Sequence, residues 1–186
     1  MKLRHHWNNF IDYVDNNKKK IIINYCVFFT VAILMLVFDL LTKQFLFKNP
    51  DNLEEPGIQY THGPVQHDFG IIGIRSVINE GLTFFPSTSI NVLLVTFFNV
   101  IILIGCILFI LFFNSTWYSV FIGCIFAGAL GNTIDRLTFG WVRDIIFTPW
   151  FDNGTFNVAD VLVIVGCVGL VITLVTQFLI SYWKKD

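Results

Sequence analysis

The chain has 186 residues, of which 55% are hydrophobic, 17% are aromatic and only 13% are charged, with a net charge of −1. This composition indicates an integral membrane protein of one domain, and the lack of a basic stripe gives no sign of nucleic-acid binding. The four cysteines lie singly in apolar runs. They have no C-x-x-C or metal-ligand spacing, which excludes a thiol oxidoreductase and favours small core residues.

Four apolar runs predict four transmembrane helices and hence an all-α membrane protein. A helix needs about 20 apolar residues to cross a bilayer, and runs this long span lipid only as helices. The expected spans are about 21–47, 90–113, 117–134 and 158–183, preceded by a polar segment at 1–20. Residues 90–134 contain no Asp, Glu, Lys or Arg, so the second and third helices are expected to form a hairpin that turns at 114–116.

The distribution of basic residues predicts the orientation of the helices. Seven of the Lys and Arg residues lie at the two termini, and five are spread over the longer stretches between helices. The positive-inside rule therefore places both termini in the cytoplasm and residues 48–89 and 135–157 on the extracytoplasmic side. The first apolar run is expected to remain as a helix, because it is long for a signal peptide and no small-residue cleavage site follows it.

Polar side chains gather at the helix ends that this orientation places outside and, for Asp144, in the loop that follows the third helix. They are Asp39, Lys43, Asn132, Asp135, Arg136, Asp144, Asn157 and Asp160. An acid in the first turn of a helix is an ordinary capping residue, and that interpretation stays open for Asp160. It does not explain Asp135, which closes a helix at the end where an anion is disfavoured. We therefore expect the four carboxylates of this set to converge near one membrane surface.

Spacing within this set predicts local partners. The pattern N-x-x-D occurs at Asn132 and again at Asn157, and a separation of three puts amide and carboxylate on one helix face. Asp39 and Lys43 are four residues apart, which predicts an intrahelical ion pair. Arg136 is expected to pair with Asp135 or with a nearby backbone carbonyl.

The residue types at these helix ends favour acid–base chemistry with water. Two carboxyls held close together share one proton near neutral pH, and such a pair can activate water while protonating a carbonyl. No Ser or Cys stands beside a His, so nucleophilic triads are not expected. From the residues alone Asp135 is as good a candidate as Asp144. A proton-coupled transporter and a non-catalytic membrane assembly factor remain alternatives, although a transporter predicts acids near the middle of the membrane.

Two histidines occur in the segment between the first and second helices. His62 and His67, with Asp68, have residue types that could bind a metal, but none of the four histidines has the spacing of a zinc site. No metal site and no cofactor are therefore expected.

Four blocks of sequence resemble, in order, the motifs of the lipoprotein signal peptidases (signal peptidase II), which are intramembrane aspartic proteases of bacteria. The blocks are DLLTK at 39–43, NEGLTFF at 79–85, GALGNTIDRLTFGWVRDII at 128–146 and FNVAD at 156–160. The resemblance implies removal of the signal peptide from prolipoproteins, with cleavage just before the diacylglyceryl-modified cysteine. It implies a catalytic dyad of Asp144 and Asp160, and not Asp135.

The same resemblance implies the surroundings of the dyad. Residues that would support the site or bind substrate are Asp39, Lys43, Asn79, Gly81, Asn132, Asp135, Arg136 and Asn157. The implied partners are lipid-modified prolipoproteins and membrane lipids, with a monomer as the expected state. The implied location is the bacterial cytoplasmic membrane, with the site near its outer face.

The resemblance also implies the fold outside the membrane. Residues before Asn79 would form a small extracytoplasmic β-cradle, and about 145–155 would form a short lid helix. Arg143, next to Asp144, is expected to lower the pKa of that acid. The small residues at 127–130 are expected to allow a close helix approach.

Overall fold

The computed structural model describes residues 2–48, 65–79, 89–113, 115–151 and 154–184. The helices are α1 (Lys2–Leu46), α2 (Ser89–Phe109, extended by a 3-10 turn at Ile110–Phe112), α3 (Thr116–Phe139) and α4 (Val158–Trp183). The strands are β1 (Val65–Asp68), β2 (Gly73–Asn79), β3 (Val142–Phe147) and β4 (Thr155–Phe156). Within these ranges four helices are long and apolar enough to cross a membrane. The expected four-helix fold with a small sheet is confirmed.

α1 is longer than the sequence indicated, because it begins at Lys2 rather than near residue 21. No Gly or Pro interrupts the polar segment before the apolar run, so nothing in it stops the helix. The hydroxyl of Tyr13 donates to the carbonyl of Leu111, and Asn24 Nδ2 donates to the carbonyl of Phe113. These two bonds attach the first half of α1 to the end of the α2 segment.

α3 is the central helix, since it packs against α1, α2 and α4. Close approach to α4 requires a small residue at Gly128, where a Cβ would collide with the carbonyl oxygen of Ala159. α3 continues past Asp135 to Phe139, whereas the sequence predicted an end near 134. Gly140 ends it with φ of 82°, a left-handed conformation that glycine adopts easily, and its N–H donates to the Arg136 carbonyl at 3.0 Å. The helix end therefore turns the chain directly into β3.

The four strands form one antiparallel sheet in the order β1-β2-β3-β4. Asn79 at the end of β2 pairs with Val142 at the start of β3, and Val77 pairs with Asp144. The sequence predicted a cradle from the residues before Asn79 alone. The second half of the sheet comes from β3 and β4, which lie between α3 and α4.

The lid helix expected over about 145–155 was wrong for the residues of that interval that the structure describes. Ile145, Ile146 and Phe147 belong to β3, and residues 148–151 form a turn in which the Phe151 N–H donates to the Thr148 carbonyl at 3.1 Å. β-branched residues at 142, 145 and 146 favour a strand, and Pro149 removes a helix donor.

Candidate active site

One end of the bundle holds nearly all the polar side chains that the sequence singled out. α1 supplies Asp39 and Lys43 near its end, and α3 supplies three residues in its last turns. The sheet and the start of α4 supply the rest. The residues of α3 are Asn132, Asp135 and Arg136, those of the sheet are Asn79 and Asp144, and those at the start of α4 are Asn157 and Asp160. Gly81 lies outside the described residues.

The start of α4 is a capping box formed by Asn157 and Asp160. The Asp160 N–H donates to Asn157 Oδ1 at 3.0 Å, and the Asn157 N–H donates to Asp160 Oδ2 at 3.1 Å. The second carboxylate oxygen, Oδ1, accepts from Asn132 Nδ2 at 2.9 Å. Asp160 is half-buried. The capping interpretation thus holds for one oxygen of Asp160, while the other faces the polar cluster.

Asp144 lies on β3 and is only 2% exposed. Its Oδ1 accepts from Asn157 Nδ2 at 2.7 Å, and its Oδ2 accepts from Asn79 Nδ2 at 2.9 Å. Burial raises the pKa of Asp144 to about 7, and the charge of Asp160 adds to the rise, whereas the two amide hydrogen bonds and Lys43 oppose it. A buried carboxyl with a second acid beside it therefore holds a proton near neutral pH.

Lys43 links α1 to α3. Its Nζ lies 2.9 Å from Asp39 Oδ2, 3.4 Å from Asp135 Oδ2 and 2.9 Å from Asn132 Oδ1. The predicted intrahelical ion pair of Asp39 and Lys43 is thus confirmed. Asp39 Oδ1 also accepts from the Ala159 N–H at 2.8 Å, one of the donors that the first turn of α4 leaves without a helical partner. Asp39 therefore fastens α1 to the start of α4.

Asp135 is fully buried and bound by Arg143. The Arg143 Nη2 and Nε donate to Asp135 Oδ1 at 2.7 and 3.2 Å, and the Arg143 backbone N–H donates to Oδ2 at 3.0 Å. The guanidinium carbon lies 4.8 Å from the ring centroid of Phe139. Two cations, Arg143 and Lys43, thus compensate an anion at a helix C-terminus, where it would otherwise be disfavoured. Asp135 is a paired structural acid.

The expected lowering of the Asp144 pKa by Arg143 was wrong. Successive residues of a strand point to opposite faces, so Arg143 faces Asp135 while Asp144 faces the two asparagines. The sequence motifs did not indicate that Arg143 contacts the other polar residues of this end. The alternation of VRDII would have revealed it, because a residue next to an active acid on a strand contacts a different set of neighbours.

Arg136 donates from Nη1 to the Asn132 carbonyl at 3.4 Å, which is the second of the two partners that the sequence suggested. Among the residues with described coordinates, no group of three or more His, Cys, Asp or Glu side chains is arranged to hold a metal ion. His67 packs beside Phe69, with ring centroids 6.0 Å apart.

The four acids at this end have two kinds of surroundings. Asp39 and Asp135 are matched by Lys43 and Arg143, all four being buried. Asp144 and Asp160 are instead surrounded by the amides of Asn79, Asn132 and Asn157. Among the described contacts, Asp144 and Asp160 thus accept hydrogen bonds from neutral amides, whereas Asp39 and Asp135 form direct ion pairs.

Four membrane-capable helices with a polar site at one end define a multi-pass membrane protein. A profile described as signal peptidase (SPase) II matches residues 31–176. Because this match covers more than half of the chain, the chain belongs to the signal peptidase II family, a family of membrane peptidases.

Individual relatives agree with this assignment. The lipoprotein signal peptidase of Rhodococcus jostii is 33% identical over 150 residues, which cover 77% of this chain and 70% of the relative. That of Microcystis aeruginosa is 29% identical over 148 residues, covering 78% and 90%. The alignment with the Enterococcus faecalis lipoprotein signal peptidase is 42% identical, but it spans 33% of this chain and only 38% of that protein.

The fold agrees with two solved structures described as bacterial membrane enzymes. The one obtained by the in meso method at 1.9 Å has a TM-score of 0.64 and 27% identity, covering 79% of this chain and 91% of that chain. The other, at 2.3 Å, has the same TM-score and 26% identity, covering 81% and 88%.

Proposed function

We propose that this protein is an aspartic endopeptidase that removes the signal peptide from diacylglyceryl-modified bacterial prolipoproteins, cutting before the lipidated cysteine. The catalytic pair is Asp144 and Asp160. The observation that carries the proposal is the link through Asn157, whose side chain donates to Asp144 and whose backbone N–H donates to Asp160. One residue thereby holds two acids side by side.

The two acids differ in environment, which suggests their roles. Asp144 is buried and holds the proton, because burial raises its pKa to about 7. Asp160 is half-buried and is the ionised partner. Asp160 takes a proton from a water molecule, and the oxygen of that water attacks the scissile carbonyl carbon. At the same time Asp144 gives its proton to the carbonyl oxygen. The leaving nitrogen then receives the proton from Asp160, and the C–N bond breaks. The carbonyl group reforms as its hydroxyl returns a proton to Asp144.

The remaining site residues hold this pair. Asn79, Asn132 and Asn157 orient the two carboxyls. Lys43 and Arg136 contact Asn132, and Asp39 and Asp135 pair with Lys43. Gly81 follows β2 and belongs to the same sequence block as Asn79. General acid–base assistance of this kind accelerates a reaction by roughly 10² to 10⁴. No cofactor or metal takes part in this scheme.

The location proposed for the site is the outer face of the bacterial cytoplasmic membrane, with both termini in the cytoplasm. A signal peptide is an apolar helix, and a diacylglyceryl group is lipid-like, so the substrate arrives through the bilayer. The scissile bond must still meet water. A carboxyl pair at the end of a bundle of membrane-length helices satisfies both requirements, and a monomer is sufficient for it.

The test uses purified protein in detergent with a diacylglyceryl-modified prolipoprotein and its unmodified form. Mass spectrometry of the products should show that the wild type cuts only the lipidated form, and that Asp144→Asn and Asp160→Asn do not. Asp15→Asn is the matched control, because Asp15 is exposed and lies 24 positions from Asp39, about 36 Å along α1. Cleavage by either dyad variant at the wild-type rate would refute the proposal.

A further inference from the structure

Arg143 lies directly before Asp144 on β3, and it is bound to the end of α3 by several contacts. Three of its N–H groups donate to Asp135, and its guanidinium lies against the ring of Phe139. Asp135 and Phe139 are four residues apart and share one face of α3. The last turns of α3 thus bind Arg143 through hydrogen bonds and through a cation–π contact.

The register of β3 decides whether Asp144 reaches its partners. Arg143 pairs with Ile78 and Asp144 with Val77 on β2, while Asn79 of the same strand donates to Asp144 Oδ2 at 2.9 Å. A slip of β3 by one residue would turn Asp144 to the opposite face of the sheet. The sheet has an irregularity between Ile74 and Val77, so the β2–β3 ladder is interrupted close to this point.

We infer that Arg143 is a positioning residue, which fixes β3 to the end of α3 and so keeps Asp144 between Asn79 and Asn157. This inference rests on the proposed function for its effect on catalysis, but not for its effect on Asp144 itself. The guanidinium does not contact Asp144; its charge is compensated by Asp135. Arg143 therefore acts through the position of the strand.

The inference predicts an effect on turnover in the lipoprotein cleavage assay. Arg143→Met keeps an apolar stem against Phe139 but removes the bonds from the side chain to Asp135. A displacement of about 1 Å at a catalytic group lowers rate by roughly 10²-fold, so kcat should fall between about tenfold and a hundredfold. KM should change by less than about twofold, because Arg143 does not face the dyad. Arg143→Lys should recover part of kcat.

A second measurement does not depend on cleavage. The infrared band of the protonated Asp144 carboxyl, assigned by its loss in Asp144→Asn, is followed as pH is raised. The charged groups acting on Asp144 are Asp160 on α4, Lys43 on α1 and Arg136 on α3. Loosening the bonds from Asn79 and Asn157 removes interactions that favour the ionised form, so the titration midpoint should move upward in Arg143→Met and return in Arg143→Lys.

A double variant separates positioning from simple destabilisation. In Asp135→Asn the partner of Arg143 is already altered, so adding Arg143→Met should lower kcat far less than it does in the wild type. Thermal unfolding in detergent gives the folded fraction of each variant.

An unchanged midpoint in Arg143→Met overturns the inference whether or not the wild type cleaves. A fall in kcat that only tracks the loss of folded protein also overturns it. A shifted midpoint together with a wild type that cuts no lipoprotein supports the positioning role and refutes the proposed function.

Discussion

Lys43 Nζ lies 2.9 Å from Oδ1 of Asn132, and Asn157 Nδ2 donates to the same oxygen at 3.1 Å, so two donors together orient the Asn132 amide. With Oδ1 turned to the cation, Nδ2 is left to donate to Asp160 Oδ1 at 2.9 Å. A fully buried lysine on α1 thus helps to orient a hydrogen bond to an acid on α4. Without this cation the Asn132 amide would be oriented only by its bonds to Asn157 and Asp160.

Replacement of Lys43 by Met tests this contribution. Two buried acids, Asp39 and Asp135, would lose a shared cation, and breaking a buried ion pair costs about 3–5 kcal/mol of unfolding free energy. Cleavage should be lost even at temperatures where the variant remains folded. Lys48→Met is the matched control, since the Lys48 side chain is exposed at the end of the same segment. Thermal unfolding and cleavage at low temperature are the measurements.

The proton on Asp144 predicts how stability depends on pH. Its pKa is about 7 in the folded protein against an ordinary value of 3.8, so the folded state binds more protons than the unfolded state between these values. The free energy of unfolding should therefore fall as pH rises from about 4 to about 7. Asp144→Asn should flatten this slope in thermal unfolding curves. A slope that remains unchanged in Asp144→Asn would assign it to other groups.

The rate of cleavage should also depend on whether Asp144 is protonated. Since the proposed reaction needs Asp144 protonated, kcat should decline as pH rises through about 7. A pH profile of single-turnover cleavage, with substrate already bound, would measure this limb. A profile that stays flat up to pH about 9 would mean that Asp144 is not the proton donor.

Gly131 predicts a steric effect on the site. A Cβ at this position would collide with Asp39 Oδ2, whereas a Cβ at Gly105 of α2 would meet no atom of the described residues within 4 Å. Gly131→Ala should displace the Asp39 carboxylate from Lys43 and from the Ala159 N–H, at a cost of about 1–3 kcal/mol. Gly105→Ala should be neutral or slightly stabilising, because alanine favours a helix over glycine. Equal unfolding temperatures for the two variants would contradict this geometry.

Two helix caps of the protein allow a matched comparison. Asn157 caps α4 with a side-chain bond, while Ser115 caps α3 without one. Asn157→Ala should lose about 0.5–2 kcal/mol of stability and, beyond that, nearly all cleavage, because Asp144 loses the donor 2.7 Å from its Oδ1. Ser115→Ala should leave both stability and cleavage nearly unchanged. Cleavage per folded molecule separates the two effects in Asn157→Ala.

The apolar runs predicted the four helices because membrane-length segments must satisfy their own backbone groups. Spacing also predicted the pair of Asp39 and Lys43, since residues four apart meet on a helix. The sheet was only half predicted: β3 and β4 are short strands, and their pairing with β2 depends on contacts between distant segments. The partner of Asp135 was equally hidden, because Arg143 lies across the helix end and on a strand that the sequence had assigned partly to a helix.

The bond from the Ala159 N–H to Asp39 has a consequence for biosynthesis. α1 is made first, and its Asp39 and Lys43 enter the membrane rim long before α4 exists. Until α4 is made and docks, Asp39 lacks the Ala159 N–H as a partner, and Asp160 is not yet beside Asn132. If Asp144 and Asp160 form the catalytic pair as proposed, the nascent chain has no assembled proteolytic centre until α4, the last of the four helices, folds back onto α1.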